Sequence, residues 1–208
     1  DLRRGLLTRA CRYRDADGRT TRVTTRSFVH MASKHLAVLE VTVEAEDWSG
    51  PICIRCGIDG RVANRNVAEY RLLANQHLLP VAGQQVDPET VVLEVVPSQS
   101  QVHTAVAART RLRADAPDAD ADVDAVRVIE DNPGYIGQEL VLALRAGQAV
   151  TVEKIAAVAT SRDPALSSAA LSAAAKVARA PSADELLASH EAAWQRLWDR
   201  FGVDIRAG

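Results

Sequence analysis

The sequence predicts a mainly β protein: an antiparallel β-sandwich followed by two C-terminal α-helices. Apolar and polar residues alternate with period two in repeated segments between Thr20 and Thr160. Clusters of Gly, Asn, Asp and Pro separate these segments, at 15–18, 59–60, 131–134 and 146–147. After Thr160 the sequence becomes rich in alanine, which favours helix. Regularly spaced strands of this kind are typical of β-sandwiches.

The strands are assigned by alternation together with β-branched content. Segments that satisfy both criteria lie at 20–31, 36–45, 52–58, 91–96, 102–112, 123–130, 139–144 and 150–160. Tight turns between them favour antiparallel neighbours rather than crossover helices.

Two intervening segments lack a strand pattern. Residues 67–79 place Val67, Tyr70, Leu73 and His77 at helical spacing, and we interpret them as a long excursion between strands. Residues 115–124 contain five aspartates, whose mutual repulsion favours a mobile loop. A calcium loop is the alternative interpretation, but this segment has neither the turn glycine nor the closing bidentate glutamate of such loops.

Two helices are predicted after the last strand. Asp163 and Pro164 suit an N-cap and first helical position, with the first helix running to Arg179. Ser182 and Glu185 form a capping-box pattern that begins the second helix. The apolar face of this second helix consists of Leu186, His190, Ala193, Trp194, Leu197, Trp198 and Phe201.

So much aromatic area requires a cover, which can be the sandwich itself, another chain or a further domain. We therefore predict that His190, Trp194, Trp198 and Phe201 are interface residues.

Composition excludes several classes of function. The formal net charge of −2 and the pI near 6.2 give no basic excess for binding nucleic acid. No apolar run approaches the roughly 20 residues needed to span a bilayer, and no signal-peptide pattern begins the chain. Three cysteines, an odd number, favour a reducing compartment, so we predict a cytoplasmic protein. The chain opens on DLRRG without methionine, from which we expect a fragment of a longer protein.

The CIRC motif, Cys53 to Cys56, resembles a metal or redox pair. A zinc site needs about four ligands, and Cys11 is the only further cysteine in the sequence. Residues three apart in a strand point to opposite faces, and a redox pair requires the start of a helix. We therefore predict two ordinary strand residues, with no metal site and no cofactor.

Longer motifs carry a family resemblance. In order along the chain these are DLRRGLLTR, TTRSFVHMA, DWSGPICIRCGIDGRVAN, SQS, EKIAAVATSRD and HEAAWQRLWDRF. This series resembles the amino-terminal region of glycoside hydrolase family 65, which contains maltose, trehalose and kojibiose phosphorylases and trehalose hydrolases. The resemblance implies a galactose mutarotase-like supersandwich, joined by linker helices to an (α/α)6 barrel that holds the catalytic glutamate.

On this resemblance we expect residues 1–160 to form part of the sandwich and 161–208 to be linker helices leading to a barrel outside this chain. The expected function is non-catalytic support of an enzyme acting on an α-linked glucose disaccharide such as trehalose or maltose. Partners would be that carbohydrate, the barrel of the same protein and a second copy in a homo-oligomer. No catalytic residue is expected within the chain, where Glu40 and Glu44 have the pattern of ordinary strand carboxylates.

Candidate substrate-binding residues are Trp48, Asp59 and Asn64. A tryptophan at a strand end can stack on a sugar ring, but it can equally be a core or interface residue. Asp59 and Asn64 suit either a sugar contact or a turn that satisfies its own backbone. Two other functions stay open: a stand-alone sugar-binding sandwich using Trp48, and an aldose mutarotase-like enzyme, which would need a histidine and a carboxylate in one cleft.

Overall fold

A computed structural model describes residues 1–64, 75–114, 125–164 and 166–202. The first strands are β1 (Leu7–Arg14), β2 (Thr20–Val29), β3 (Leu36–Ala45), β4 (Gly50–Asp59) and β5 (Leu78–Asp87). They are followed by β6 (Thr90–Pro97), β7 (Thr104–Ala114), β8 (Val126–Asn132), β9 (Tyr135–Leu144) and β10 (Ala149–Thr160). Helices α1 (Ala169–Arg179) and α2 (Ala183–Phe201) come last.

The strands form two antiparallel sheets. The large sheet has seven strands in the order β1-β2-β3-β10-β7-β6-β5, and the small sheet has three in the order β4-β9-β8. Strand β10 pairs along its length with β7, from Val150 opposite Ala114 to Thr160 opposite Thr104. The predicted antiparallel sandwich with two C-terminal helices is confirmed.

The large sheet is covered on both faces. On β10, Ile155, Ala157 and Ala159 face the helices and join one core cluster with Ala173 and Val177 of α1. Val150 of β10 points to the opposite face and packs in a second cluster with Leu142 and Leu144 of the small sheet. This alternation follows from the period of two along a strand. The molecule therefore has three layers: small sheet, large sheet and helices.

Sequence periodicity identified the central strands but missed two at the edges. Strands β1 and β5 end the large sheet and are exposed along most of their length. An edge strand that buries neither face has no reason to alternate apolar with polar residues, and Pro80 in β5 further obscures the pattern.

Two sequence interpretations fall wholly or partly outside the described residues. The aspartate-rich segment 115–124 lies outside them completely. Of the excursion at 67–79, residues 67–74 are outside, whereas Leu78 and Leu79 begin strand β5. The excursion therefore ends before Leu78, earlier than predicted.

The second predicted helix start is confirmed and the first is wrong. At α2, the Ser182 side chain accepts from the Glu185 amide and the Glu185 side chain accepts from the Ser182 amide. At α1 the N-cap is Ser168, because the Asp163 carboxylate instead accepts from the amide of Thr160 and closes the turn after β10.

Candidate functional site

Helix α2 presents its aromatic residues to the edge of the large sheet. The ring of His190 lies 4.8 Å from that of Phe28 on β2 and 6.3 Å from that of Trp194. Trp194 in turn stacks on Trp198, with ring centroids 5.8 Å apart. Spacing by four residues along α2 aligns these rings on one side of the helix. We call Phe28, His190, Trp194 and Trp198 the aromatic row.

An N-terminal turn, residues 1–6, covers much of this row. The indole nitrogen of Trp198 donates to the carbonyl of Arg3 at 2.7 Å, and His190 Nε2 lies 2.8 Å from the carbonyl of Arg4. Gly5, at a φ of +59°, lies so close to Trp194 that a Cβ built on it would be 2.1 Å from the indole nitrogen.

The interface residues predicted from the sequence therefore differ in exposure. His190 is completely buried within this chain, and Trp194 and Trp198 are half-buried. Phe201 at the end of α2 is 70% exposed. The sandwich and its N-terminal turn therefore cover His190. Within the part of the chain that the structure describes, they leave Phe201 uncovered.

A buried ion pair organises the corner between the two helices. The Arg109 guanidinium donates to the carbonyls of Val177 and Ala180, each at 2.9 Å, and to that of Pro181 at 3.1 Å. Its neighbour Glu153, 3.9 Å away, accepts from the amide of Ala183 at 2.9 Å. Burial lowers the pKa of Arg109 from its ordinary value. The cation lies at the C-terminus of α1 and the anion at the N-terminus of α2, as the helix dipoles favour.

A second set of charges fastens the start of α2 to the sheet. Glu40, almost fully buried, accepts from Arg26 on β2 and from Arg113 on β7. Asp184, in the first turn of α2, accepts from the same two arginines. These four side chains close an ion-pair ring. Hydrogen bonds from Arg26 and then Arg113 lower the pKa of Asp184.

Trp48, predicted from the sequence as a sugar contact, lies between β3 and β4. It is half-buried, packs against the cluster of Val43, Ala45, Leu142, Leu144 and Val150, and donates its indole N–H to Thr21 Oγ1 at 2.9 Å. Its polar atom is thus satisfied and its ring contributes to the core.

Asp59 is the last residue of strand β4, at the end away from Trp48. Its carboxylate accepts from both the Nε and an amino group of Arg61, at 2.9 and 3.0 Å, and these bonds lower the pKa of Asp59. Arg61 also lies over the ring of Tyr135, 4.8 Å from its centroid. Asn64 is exposed, and its backbone N–H donates to the backbone carbonyl of Asn75 at 2.8 Å.

Trp48 and Asp59 do not share one site. Strand β4 pairs with β9 without interruption from Gly50 to Asp59. At about 3.3 Å per residue, its ends lie roughly 30 Å apart. The structure therefore brings Asp59 near Arg61 and Tyr135, and not near Trp48. Sugar contacts by Trp48, Asp59 and Asn64 stay predictions.

The two cysteines of CIRC point to opposite faces of β4. Cys53 is exposed, whereas Cys56 is half-buried, and burial raises the pKa of the Cys56 thiol. Among the residues that the structure describes, no group of three His, Cys, Asp or Glu side chains is placed to hold a metal ion.

Sequence reasoning missed the residues that fix the helices. Arg109, Glu153 and His30 all lie far in sequence from the helix atoms that they bind or approach. One signal was available: Arg109, Arg111 and Arg113 follow Ala105 and Ala107 on one face of β7, marking where an apolar face becomes charged.

Comparison with known proteins gives consistent results. Residues 1–197 match the model of the N-terminal domain of glycosyl hydrolase family 65. Two Mycobacterium tuberculosis proteins, from strains CDC 1551 and H37Rv and both named as uncharacterized glycosyl hydrolases, are 42% identical over 205 residues. These alignments cover 99% of the chain and 15% of each relative, so the chain spans about 15% of their length.

The fold is also similar to that of a solved structure assigned as a kojibiose phosphorylase from the human microbiome. The TM-score is 0.75 over 95% of this chain and 24% of that one, at 15% identity. At that identity the likeness concerns the fold alone. Within the described part of the chain, no helix combines the length and apolar character needed to cross a membrane.

Proposed function

Because the chain belongs to glycosyl hydrolase family 65 and matches the N-terminal domain of that family's enzymes, we propose that it supports a catalytic barrel elsewhere in the same polypeptide. In this proposal residues 1–160 are part of the sandwich and 161–208 are linker helices. The domain braces the barrel and shapes one wall of its substrate pocket, and it performs no chemistry itself.

The observation that carries this proposal is the contrast between the two ends of α2. Its start is fixed by the capping box, the ion-pair ring and the helix corner. At its other end Phe201 is an uncovered aromatic side chain. Single exposed apolar side chains are common, but Phe201 continues the half-buried Trp194 and Trp198 along α2. We therefore assign this end of α2 to the barrel contact.

The substrate of the whole enzyme is proposed at the level of chemical class. Family membership supports an α-linked glucose disaccharide, and trehalose and maltose are our first candidates. We further propose a cytoplasmic location, on the cysteine content, and a homo-oligomer.

The proposal is tested first with the purified chain. It should show no turnover of trehalose, maltose or kojibiose, with or without phosphate. Turnover that survives repurification would contradict the assignment of the chemistry to another part of the polypeptide.

The contact surface is tested by Phe201→Ser, made both in this chain and in the whole protein. In the isolated chain we expect a change in unfolding free energy within about 0.5 kcal/mol, because the ring is exposed. In the whole protein we expect reduced activity and a lower melting temperature of the barrel.

Leu171→Ser is the matched control, since Leu171 on α1 is 65% exposed and we assign it no contact. Equal effects of both substitutions in the whole protein would refute the assignment of Phe201 to the barrel contact.

A further inference from the structure

Two buried histidines join α2 to the N-terminal turn and to the connection between β2 and β3. His190 is fully buried and His30 is 6% exposed, with ring centroids 6.0 Å apart. We propose that His30 and His190 form a pH-sensitive clasp, which holds the N-terminal turn on α2 while both imidazoles are neutral and releases it when they are protonated. This inference is independent of the proposed role in supporting a barrel.

The contacts of His190 define its neutral form. Its Nδ1 accepts from the backbone amide of Met31 at 3.0 Å, so that nitrogen carries no hydrogen. Its Nε2 lies 2.8 Å from the carbonyl of Arg4, which can only accept, so Nε2 carries the hydrogen. One imidazole therefore connects α2, the β2–β3 connection and the N-terminal turn.

His30 has the same tautomer for analogous reasons. Its Nδ1 accepts from the amide of Ser33 at 2.9 Å. Its Nε2 lies 2.9 Å from Ser189 Oγ, whose own hydrogen is donated to the carbonyl of Leu186. Nε2 of His30 is thus the donor to Ser189 of α2. Both rings use one nitrogen as acceptor and one as donor.

Protonation removes the acceptor. An imidazolium carries hydrogens on both nitrogens, so a protonated His190 would direct an N–H at the amide N–H of Met31, and His30 would do so at Ser33. Two cationic rings 6.0 Å apart would also repel each other. Acid therefore converts attractive contacts at the clasp into repulsive ones.

The sign of the pH dependence follows from His30. Burial, and secondly the nearby His190, lower the pKa of His30 below its ordinary value of 6.5. The folded clasp therefore binds fewer protons than the open chain. Its stability is complete above about pH 6.5 and falls as the pH decreases through the lowered pKa.

Charged groups on the surrounding elements are engaged elsewhere. Among the described residues, neither imidazole has a charged side chain as a hydrogen-bond partner. The ionisable groups on the elements that pack around the clasp are Asp1 with the terminal amine, Arg3, Arg4 paired with Glu191, Arg26 and Asp184 in the ion-pair ring, Glu185 in the capping box, and Lys34 and His35 on the β2–β3 connection. In the part of the chain that the structure describes, none of these carboxylates hydrogen-bonds to either imidazole.

The test compares the chain with a His30→Asn, His190→Asn double variant. Asparagine keeps an acceptor near the position of Nδ1 and does not titrate. Arg3 and Arg4 are exposed, but their carbonyls are bound to α2, so release of the turn frees the backbone there for cleavage by trypsin. Measuring both proteins at the same pH cancels the pH dependence of the protease. The variant lacks the Nε2–H that binds the carbonyl of Arg4, so it should be cut faster than the chain at about pH 7.5. Between about pH 7.5 and about pH 5.5, one unit below the ordinary imidazole pKa, we expect the ratio of the chain's cleavage rate to the variant's to rise about tenfold.

His103→Asn is the matched control, since His103 is exposed and its ring hydrogen-bonds to Glu94 on β6, away from α2. It should be cut like the unsubstituted chain at both pH values. A ratio of the two rates that is the same at both pH values would overturn the proposal, and so would loss of the pH dependence in His103→Asn.

A second measurement holds even if the double variant does not fold. Nitrogen NMR of the unsubstituted chain distinguishes imidazole tautomers. We expect the Nε2–H form for both His30 and His190 at neutral pH, followed on acidification by conversion of His30 to imidazolium together with a change in Trp194 and Trp198 fluorescence. A hydrogen on Nδ1 of either ring at neutral pH would refute the clasp.

Discussion

Gly5 shows how closely one residue can constrain the molecule. It combines a positive φ with direct contact to Trp194, so Gly5→Ala adds both backbone strain and a steric clash. We expect a loss of about 3 kcal/mol in unfolding free energy, measured by urea denaturation. Gly147→Ala is the matched control: φ is +79° there, with no atom within 4 Å of the added Cβ. It should cost only about 1 kcal/mol; equal losses would show that the contact with Trp194 has no effect.

Trp48 is the residue at which packing and sugar binding make opposite predictions. Truncation by Trp48→Ala removes contacts with Val43 and Leu142 and the hydrogen bond to Thr21, so we expect a loss of about 2–3 kcal/mol. Titration of the unsubstituted chain with trehalose or maltose should leave tryptophan fluorescence unchanged if the ring serves only the core. A saturable response that is lost in a still-folded Trp48→Phe variant would restore Trp48 as a sugar contact.

The corner between α1 and α2 depends on one arginine. Arg109→Met leaves three carbonyls without their donor and Glu153 without its cation. We expect a loss of about 3 kcal/mol in chemical denaturation. Glu153→Gln is the milder comparison, because the amide oxygen can still accept from Ala183, and it should cost about 1 kcal/mol. The assignment of Arg109 as the anchor would fail if the two variants were equally stable.

The ion-pair ring gives α2 a dependence on acid. Because its arginine partners lower the pKa of Asp184, the folded state binds a proton less readily than the unfolded state. The ring's contribution is therefore present above the ordinary aspartate pKa of 3.8 and is lost as the pH falls through the lowered value. Asp184 is 58% exposed, so solvent screening holds the effect to under about 1 kcal/mol. Denaturation of Asp184→Asn should vary less with pH below about 4, and an unchanged profile would contradict this account.

At the level of elements, the sequence predicted what local patterns encode. Central strands such as β3 and β10 are buried on alternate or both faces, so their residues show the expected pattern. The capping box of α2 is local and was found. Edge strands β1 and β5 show no such pattern. Asp163 was predicted as an N-cap because a carboxylate suits that position, but a carboxylate can equally well accept from the backbone of a turn, as Asp163 does after β10.

For the whole molecule, the missing information is which distant residues meet. Ring spacing on α2 predicted an aromatic face, but nothing in the sequence indicated that residues 1–6 would cover it. Likewise Trp48 and Asp59, near in sequence, lie at opposite ends of an extended strand. Family resemblance correctly supplied the β-sandwich of this domain, because the motif order reflects the whole fold rather than any local pattern.

Because Cys53 and Cys56 point to opposite faces of β4, the reactivities of their thiols report on the packing of the small sheet. An exposed thiol on β4 should react with a maleimide at once, whereas its half-buried neighbour, with a raised pKa, should react only when β4 leaves the large sheet. In a Cys11→Ser background, the slow phase of labelling would therefore time the separation of the two layers. The labelling rates of these two cysteines would then measure the rate of local unfolding.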